Sequence, residues 1–197
     1  MKVSKQKAAE NRAAMVAAAG RLFRERGFEG VSLAEISQAA GLTHGGFYGQ
    51  FGSKEALAAE ACSEAFDEAL DGFAARTRAE GLAGYLQSYL SERHRDRRDG
   101  GCPMPALAAD AARHGPPVQA AFAAGVRRYL EAMERLPDAR SEGGTEGREE
   151  AILTLAAMVG ALALSRATAA ADPALSSEIL SVVRHRLGAV PKDRRTG

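Results

Sequence analysis

The chain has 197 residues, 46% of them apolar and 26% charged, which is the make-up of a folded globular protein and excludes a bare binding peptide or a chain dominated by disorder. Its net charge of +1 hides a division. Residues 1–54 hold eight Lys or Arg against four Glu, whereas the remainder carries eighteen basic and twenty-one acidic groups, so the first quarter is the part suited to a polyanion.

Ala, Leu, Glu and Arg recur at helical spacing and period-2 runs of β-branched and aromatic residues are missing, so the chain reads as all-α with about nine helices. The first helix is expected over residues 7–26, with Met15, Ala18, Ala19, Leu22 and Phe23 on one face and Gly27 as its stop. Ser32 with Glu35 has the spacing of a capping box, and Val31 with Ile36 that of a hydrophobic staple, so a second helix starts at Leu33. It ends near Ala40, where Gly41 suits a left-handed turn. Thr43 then caps a third helix, with Leu42 and Phe47 as a second staple.

That third helix carries the functional signal. Phe47 and Phe51, four apart, face the core, which leaves Thr43, His44, Tyr48, Gln50 and Lys54 to reach phosphates or base edges in a major groove. A fourth helix is expected from Ser53 to about residue 76 and a fifth over 82–97. Gly100, Gly101, Pro103 and Pro105 then break the chain before a short helix over 106–113. A further break at His114 to Pro117 precedes a helix over 118–136, and residues 137–147 read as a mobile loop. Two last helices, over 148–170 and 174–187, lead to a polar tail expected to fray.

The segment from Thr43 to Leu57, Thr-His-Gly-Gly-Phe-Tyr-Gly-Gln-Phe-Gly-Ser-Lys-Glu-Ala-Leu, resembles the recognition helix of the TetR family of regulators, Ser/Thr-x-Gly-x-Leu/Phe-Tyr-x-x-Phe followed by Ser-Lys-Glu-x-Leu. The detailed match covers about residues 12–60. The resemblance implies a helix-turn-helix DNA-binding domain over residues 1–52 and a helical effector-binding and dimerisation domain over 53–197. It also implies phosphate contacts from Ser32, Tyr48 and Lys54. Thr43 would use its backbone N–H or hydroxyl on a phosphate, and His44 and Gln50 would read base edges. Gly45 stands at the family's glycine, whereas Gly46 and Gly49 replace residues that carry side chains in many relatives. Three glycines in one short helix imply close backbone approach to DNA or marginal order without it. Part of the specificity then falls to the basic arm of Lys2, Lys5 and Lys7.

The resemblance further implies a homodimer on a double-stranded DNA operator, joined through its last two helices, and a small-molecule effector. Ile152, Leu155, Val159, Leu162 and Ser165 to Arg166, with Leu175, Ile179, Leu180, Val183 and Leu187, supply an interface at three-to-four spacing. Phe66, Tyr85, Tyr89, Met104, Leu107, Phe122 and Tyr129 are the candidates for an apolar effector pocket, although residues of these types at helical spacing more often serve as core.

Cys62 and Cys102 have neither metal-ligand nor CxxC spacing, which fits a reducing cytoplasm. Cys102, after Arg97 and Arg98, is the candidate redox or electrophile sensor, with a small buried residue as the alternative. No export signal is expected in the N-terminal stretch, and the longest apolar run, 151–164, falls short of the roughly 20 residues that span a bilayer, so it reads as a buried helix and no membrane partner is expected. The sequence offers no HExxH, GxSxG or phosphate loop, so no enzymatic activity, metal or cofactor is expected. The competing class is a helical small-molecule-binding or interaction module that does not bind DNA.

Overall fold

The computed structural model describes residues 5–42, 47, 50–136 and 145–188. Among these it contains eight helices and no strand. They are α1 (Lys5–Arg26), α2 (Leu33–Ala39), α3 (Lys54–Tyr89), α4 (Glu92–Asp96), α5 (Met104–Ala111), α6 (Pro116–Glu134), α7 (Thr145–Thr168) and α8 (Pro173–Gly188). Chain contacts define two compact units, Met1–Leu70 with Arg98–Arg128 and Asp71–Arg97 with Tyr129–Gly197. The division cuts α3 and α6, and so follows a different line from the boundary at residue 53 expected on functional grounds.

In the first unit, α1 buries Met15, Val16, Ala18, Ala19 and Phe23 against Phe28, Val31, Ile36, Phe47, Phe51, Leu57, Leu107 and Val118. Removing such side chains from water contributes about 1.5–3 kcal/mol each, so this cluster sets the geometry of the N-terminal helices. Phe23 meets Phe28 edge-on, with ring centroids 5.1 Å apart, and Phe28 meets the His114 ring at 4.7 Å. The Phe28 backbone N–H donates to Asp110 Oδ2 at 3.2 Å, tying the end of α1 to the end of α5. Arg24 is buried in the same unit and is satisfied there: its Nε donates to the Asp99 carbonyl at 2.6 Å and its Nη1 lies 3.2 Å from Glu68.

In the second unit, α7 packs on α8. Thr154, Leu155, Met158, Leu162 and Ser165 of α7 and Ser176 and Leu180 of α8 are buried. The Ser165 and Ser176 hydroxyls lie 2.8 Å apart, and each is within hydrogen-bond distance of the other's carbonyl oxygen, at 3.0 and 2.8 Å. Arg166 donates to the carbonyls of His94 and Arg95, capping the end of α4.

Several boundaries differ from those expected. The fourth helix continues past residue 76, because the chain from Arg76 to Glu80 is made of adequate helix formers, and the interruption comes at Gly81, whose φ of +68° a side chain would strain. The expected helix over 82–97 is broken after Tyr89, where Ser91 caps the separate turn α4 by accepting from the His94 N–H. Pro105 and Pro116 lie inside the first turns of α5 and α6 rather than before them, since a proline there forfeits no intrahelical hydrogen bond. α7 begins at Thr145. The loop expected over 137–147 falls outside the described residues up to 144, as does the polar tail beyond residue 188.

The stripe expected to be an interface is divided. Of its residues, Leu155, Leu162, Ser165 and Leu180 are spent on the internal core, whereas Ile152 and Leu175 are exposed; Leu153, Leu164 and Val182, which lie outside the expected stripe, are exposed as well. α7 is therefore half buried rather than enclosed. By length and composition it is also apolar enough to cross a membrane, a test that core helices of helical proteins pass as well.

Candidate nucleic-acid interface

The N-terminal helices are fixed by local chemistry. At the start of α2 the Glu35 N–H donates to Ser32 Oγ (3.3 Å), the Ser32 N–H donates to Glu35 Oε2 (2.8 Å), and the Ser32 hydroxyl donates to the same oxygen (2.7 Å). Arg26 Nη1 lies 2.7 Å from the other carboxylate oxygen. The Ser32 backbone N–H first, then its hydroxyl, then Arg26 hold the Glu35 carboxyl well below the usual range, at about 2. Ser32 is exposed at the helix N-terminus, as a phosphate contact requires, while its hydroxyl is already engaged by the cap.

At the other end of α2 the Leu42 N–H donates to the Ser37 carbonyl (2.9 Å) and the Gly41 N–H to the Gln38 carbonyl (3.0 Å), the paired bonds of a Schellman turn. Gly41, at φ +69°, supplies the left-handed residue that the turn requires. Leu42 packs on the core. This redirects the chain toward Phe47 and Phe51, both buried, with stacked rings 5.7 Å apart. The Gln50 and Phe51 N–H groups both donate to the Phe47 carbonyl at 2.9 Å, which ties the two aromatic anchors together through the backbone.

Thr43, His44, Gly45 and Tyr48 lie outside the described residues. Gln50 is half buried and its side-chain oxygen is turned away from solvent without a hydrogen bond, an orientation in which that oxygen is not presented to a base edge. Ser53 caps α3 by accepting from the Ala56 N–H at 3.0 Å. Lys54 stands on the first turn with its Nζ 4.0 Å from Glu29, an ion pair between partly exposed groups that a phosphate can replace.

One contact beside this segment that sequence reasoning does not reach is made by Arg12. Its guanidinium donates to the Gln50 carbonyl and to both oxygens of Glu60, and its Cζ sits 4.2 Å over the Phe51 ring. No local pattern signals a contact between residues 38 apart in sequence.

The seven candidate pocket residues fall into two packed groups, all buried except Phe122, which is partly buried. Phe66, Met104, Leu107 and Phe122 belong to the first unit, where Phe66 and Phe122 meet edge-on at 5.3 Å. Tyr85, Tyr89 and Tyr129 belong to the second, packed with Phe73, and the Tyr85 and Tyr129 hydroxyls are hydrogen-bonded to each other. A cleft of about 550 Å³ in the first unit is lined by none of the seven, but by residues that include Glu29, Lys54, Asp110 and His114. Cys62 and Cys102 are both buried, and burial pushes the Cys62 thiol up to about 11. Among the described residues no group of His, Cys, Asp and Glu side chains is placed to hold a metal ion.

Residues 15–61 match the family model of bacterial regulatory proteins of the tetR family. No curated protein matches the chain. Among solved structures it is similar to a TetR transcriptional regulator from Chloroflexus aurantiacus, at 25% identity over 93% of this chain and 94% of that one, with a TM-score of 0.74. It also shares its fold with a TetR-family transcriptional regulator from Cytophaga hutchinsonii (20% identity, 98% and 100% covered, TM-score 0.76) and with the reduced form of Escherichia coli NemR (20% identity, 90% and 94% covered, TM-score 0.72). The capped second helix, the glycine turn and the buried anchors Phe47 and Phe51 lie inside the residues that match the tetR-family model, and the chain has the fold of these TetR-family transcriptional regulators.

Proposed function

We propose that this chain is a cytoplasmic, ligand-responsive repressor that binds a near-palindromic operator as a homodimer. The observation that carries the reading is the pairing of the Schellman turn at Gly41 with the buried Phe47 and Phe51, inside the residues that match the family model. Those two rings are turned inward, and the polar residues of the segment are then the ones offered to DNA. Ser32, Tyr48 and Lys54 act there on phosphates, Thr43 and Gly45 bring the backbone close, and His44 and Gln50 read bases, with Gln50 turning its amide outward on contact.

The dimer forms through α7 and α8. Their exposed Leu153 (66%), Leu164 (59%) and Val182 (51%) are large side chains that a second copy would remove from water. The domain that begins at residue 53 then holds the effector. Entry among Phe66, Met104, Leu107 and Phe122, or among Tyr85, Tyr89 and Tyr129, requires the packed cluster to open, which couples ligand to helix position. A 100-fold loss of operator affinity needs only about 2.7 kcal/mol of such coupling.

The test is the salt dependence of duplex DNA retention. Affinity should fall steeply as salt rises, with a slope near −0.9 for each phosphate neutralised. Retention that does not respond to salt would instead favour a helical interaction module.

A further inference from the structure

Resting on the DNA-binding reading above, we propose that Arg12 is a positioning residue for DNA recognition, which clamps the end of the recognition segment to α3 through Gln50, Phe51 and Glu60. The guanidinium is committed on three sides. Nη1 donates to the Gln50 carbonyl, Nε and Nη2 donate to the two oxygens of Glu60, with the Nε bond at 3.1 Å, and the group lies 4.2 Å over the Phe51 ring. An exposed ion pair alone contributes little. A bidentate pair that also holds a backbone carbonyl and an aromatic face fixes direction as well as distance, which a lysine ammonium cannot do.

The position of the clamp matters more than its strength. The Gln50 and Phe51 N–H groups rest on the Phe47 carbonyl, and the sequence around them contains Gly45, Gly46, Gly49 and Gly52. Glycine disfavours helix by up to about 1 kcal/mol per residue relative to alanine, so this segment draws little order from its own sequence. Arg12 comes from α1 and Glu60 from α3, so the clamp ties Gln50 and Phe51 to both helices.

Glu60 makes the idea testable by sign. Deleting an acidic group near DNA ordinarily raises affinity, because phosphate repulsion falls. If Glu60 serves to hold Arg12, Glu60→Ala lowers operator affinity instead. Wild type, Arg12→Lys, Arg12→Ala and Glu60→Ala are compared for binding to selected operator DNA over a salt series, for thermal melting, and for hydrogen exchange at the Gln50 and Phe51 amides without DNA. The expected result is a loss on the order of tenfold in specific affinity for Arg12→Lys and Glu60→Ala. The salt slope stays that of wild type, core melting is retained, and the two amides exchange faster. Wild-type affinity in Arg12→Lys, with a slope shallower by about 0.9 in Arg12→Ala, makes Arg12 a phosphate contact and overturns the proposal. Unchanged or tighter binding by Glu60→Ala overturns it as well. If the wild type binds no DNA, the reading beneath fails and the proposal with it; if the wild type binds and the variants match it, the proposal alone fails.

Discussion

Ser32 and Glu35 hold each other by three hydrogen bonds, one in each direction between side chain and backbone and a third between the side chains. The arrangement fixes where α2 starts and therefore where the glycine turn falls. Glu35 is ionised in this cap and its pKa is lowered from 4.5 to about 2. A carboxyl held low contributes stability that is fully present above its ordinary pKa and is lost as pH falls toward the folded value. Comparison of wild type with Glu35→Gln in acid unfolding should therefore show a stability difference that is constant above about pH 4.5 and disappears between 4.5 and about 2. Ser32→Ala should cost about 1 kcal/mol in denaturant unfolding, as cap removal does elsewhere.

Gly125 sits where a Cβ would overlap the Phe66 ring, and Phe66 is fully buried and meets Phe122 edge-on. Alanine at a helical glycine position normally gains up to about 1 kcal/mol, while overpacking a core costs about 1–3 kcal/mol. Gly125→Ala should thus lower the melting temperature. Pairing it with Phe66→Ala, which removes the Cγ and Cδ atoms at the contact, should cost less than the two single changes added together.

The apolar face of α7 and α8 should be covered by a second copy. Leu153→Glu combined with Leu164→Glu places two charges in that interface while leaving the buried Leu155, Met158 and Leu162 untouched. Sedimentation equilibrium should show a dimer for wild type and a monomer for the variant, with the helical content of the two the same.

Both thiols should be inert in the folded protein. Cys62 is buried, with its pKa pushed up to about 11, so almost none is thiolate at neutral pH. Cys102 is buried as well, which favours a packing role for it over a redox one. Alkylation followed by mass spectrometry should find neither modified at pH 7 until denaturant is added. Modification of native Cys102 after mild peroxide would restore the sensor reading.

The parts of this molecule legible in its sequence are those set by neighbours a few residues apart. Ser32 and Glu35 give the cap, Gly41 the turn, and the four-residue spacing of Phe47 and Phe51 the buried side of the third segment. Helix ends farther along were harder to read, because a proline can open a helix as readily as end one, as Pro105 and Pro116 do. In α7 the apolar residues run nearly all round, so periodicity alone did not say that Leu155 and Leu162 would turn inward and Leu153 and Leu164 outward. Ser165 and Ser176, which satisfy each other between the helices, lie on the buried side with Leu155 and Leu162. The Arg12 clamp was illegible, because nothing near Arg12 in the sequence announces a partner at Gln50 or Glu60.

The central claim is that the N-terminal helices read a specific DNA sequence. The most direct measurement is selection from a random duplex library by the purified full chain, beside a Tyr48→Phe, Lys54→Ala variant. The expected result is an enriched palindrome, with half-sites about 34–36 Å or a multiple of the helical turn apart, that the variant fails to recover. No enriched sequence, together with retention indifferent to salt, would contradict the account.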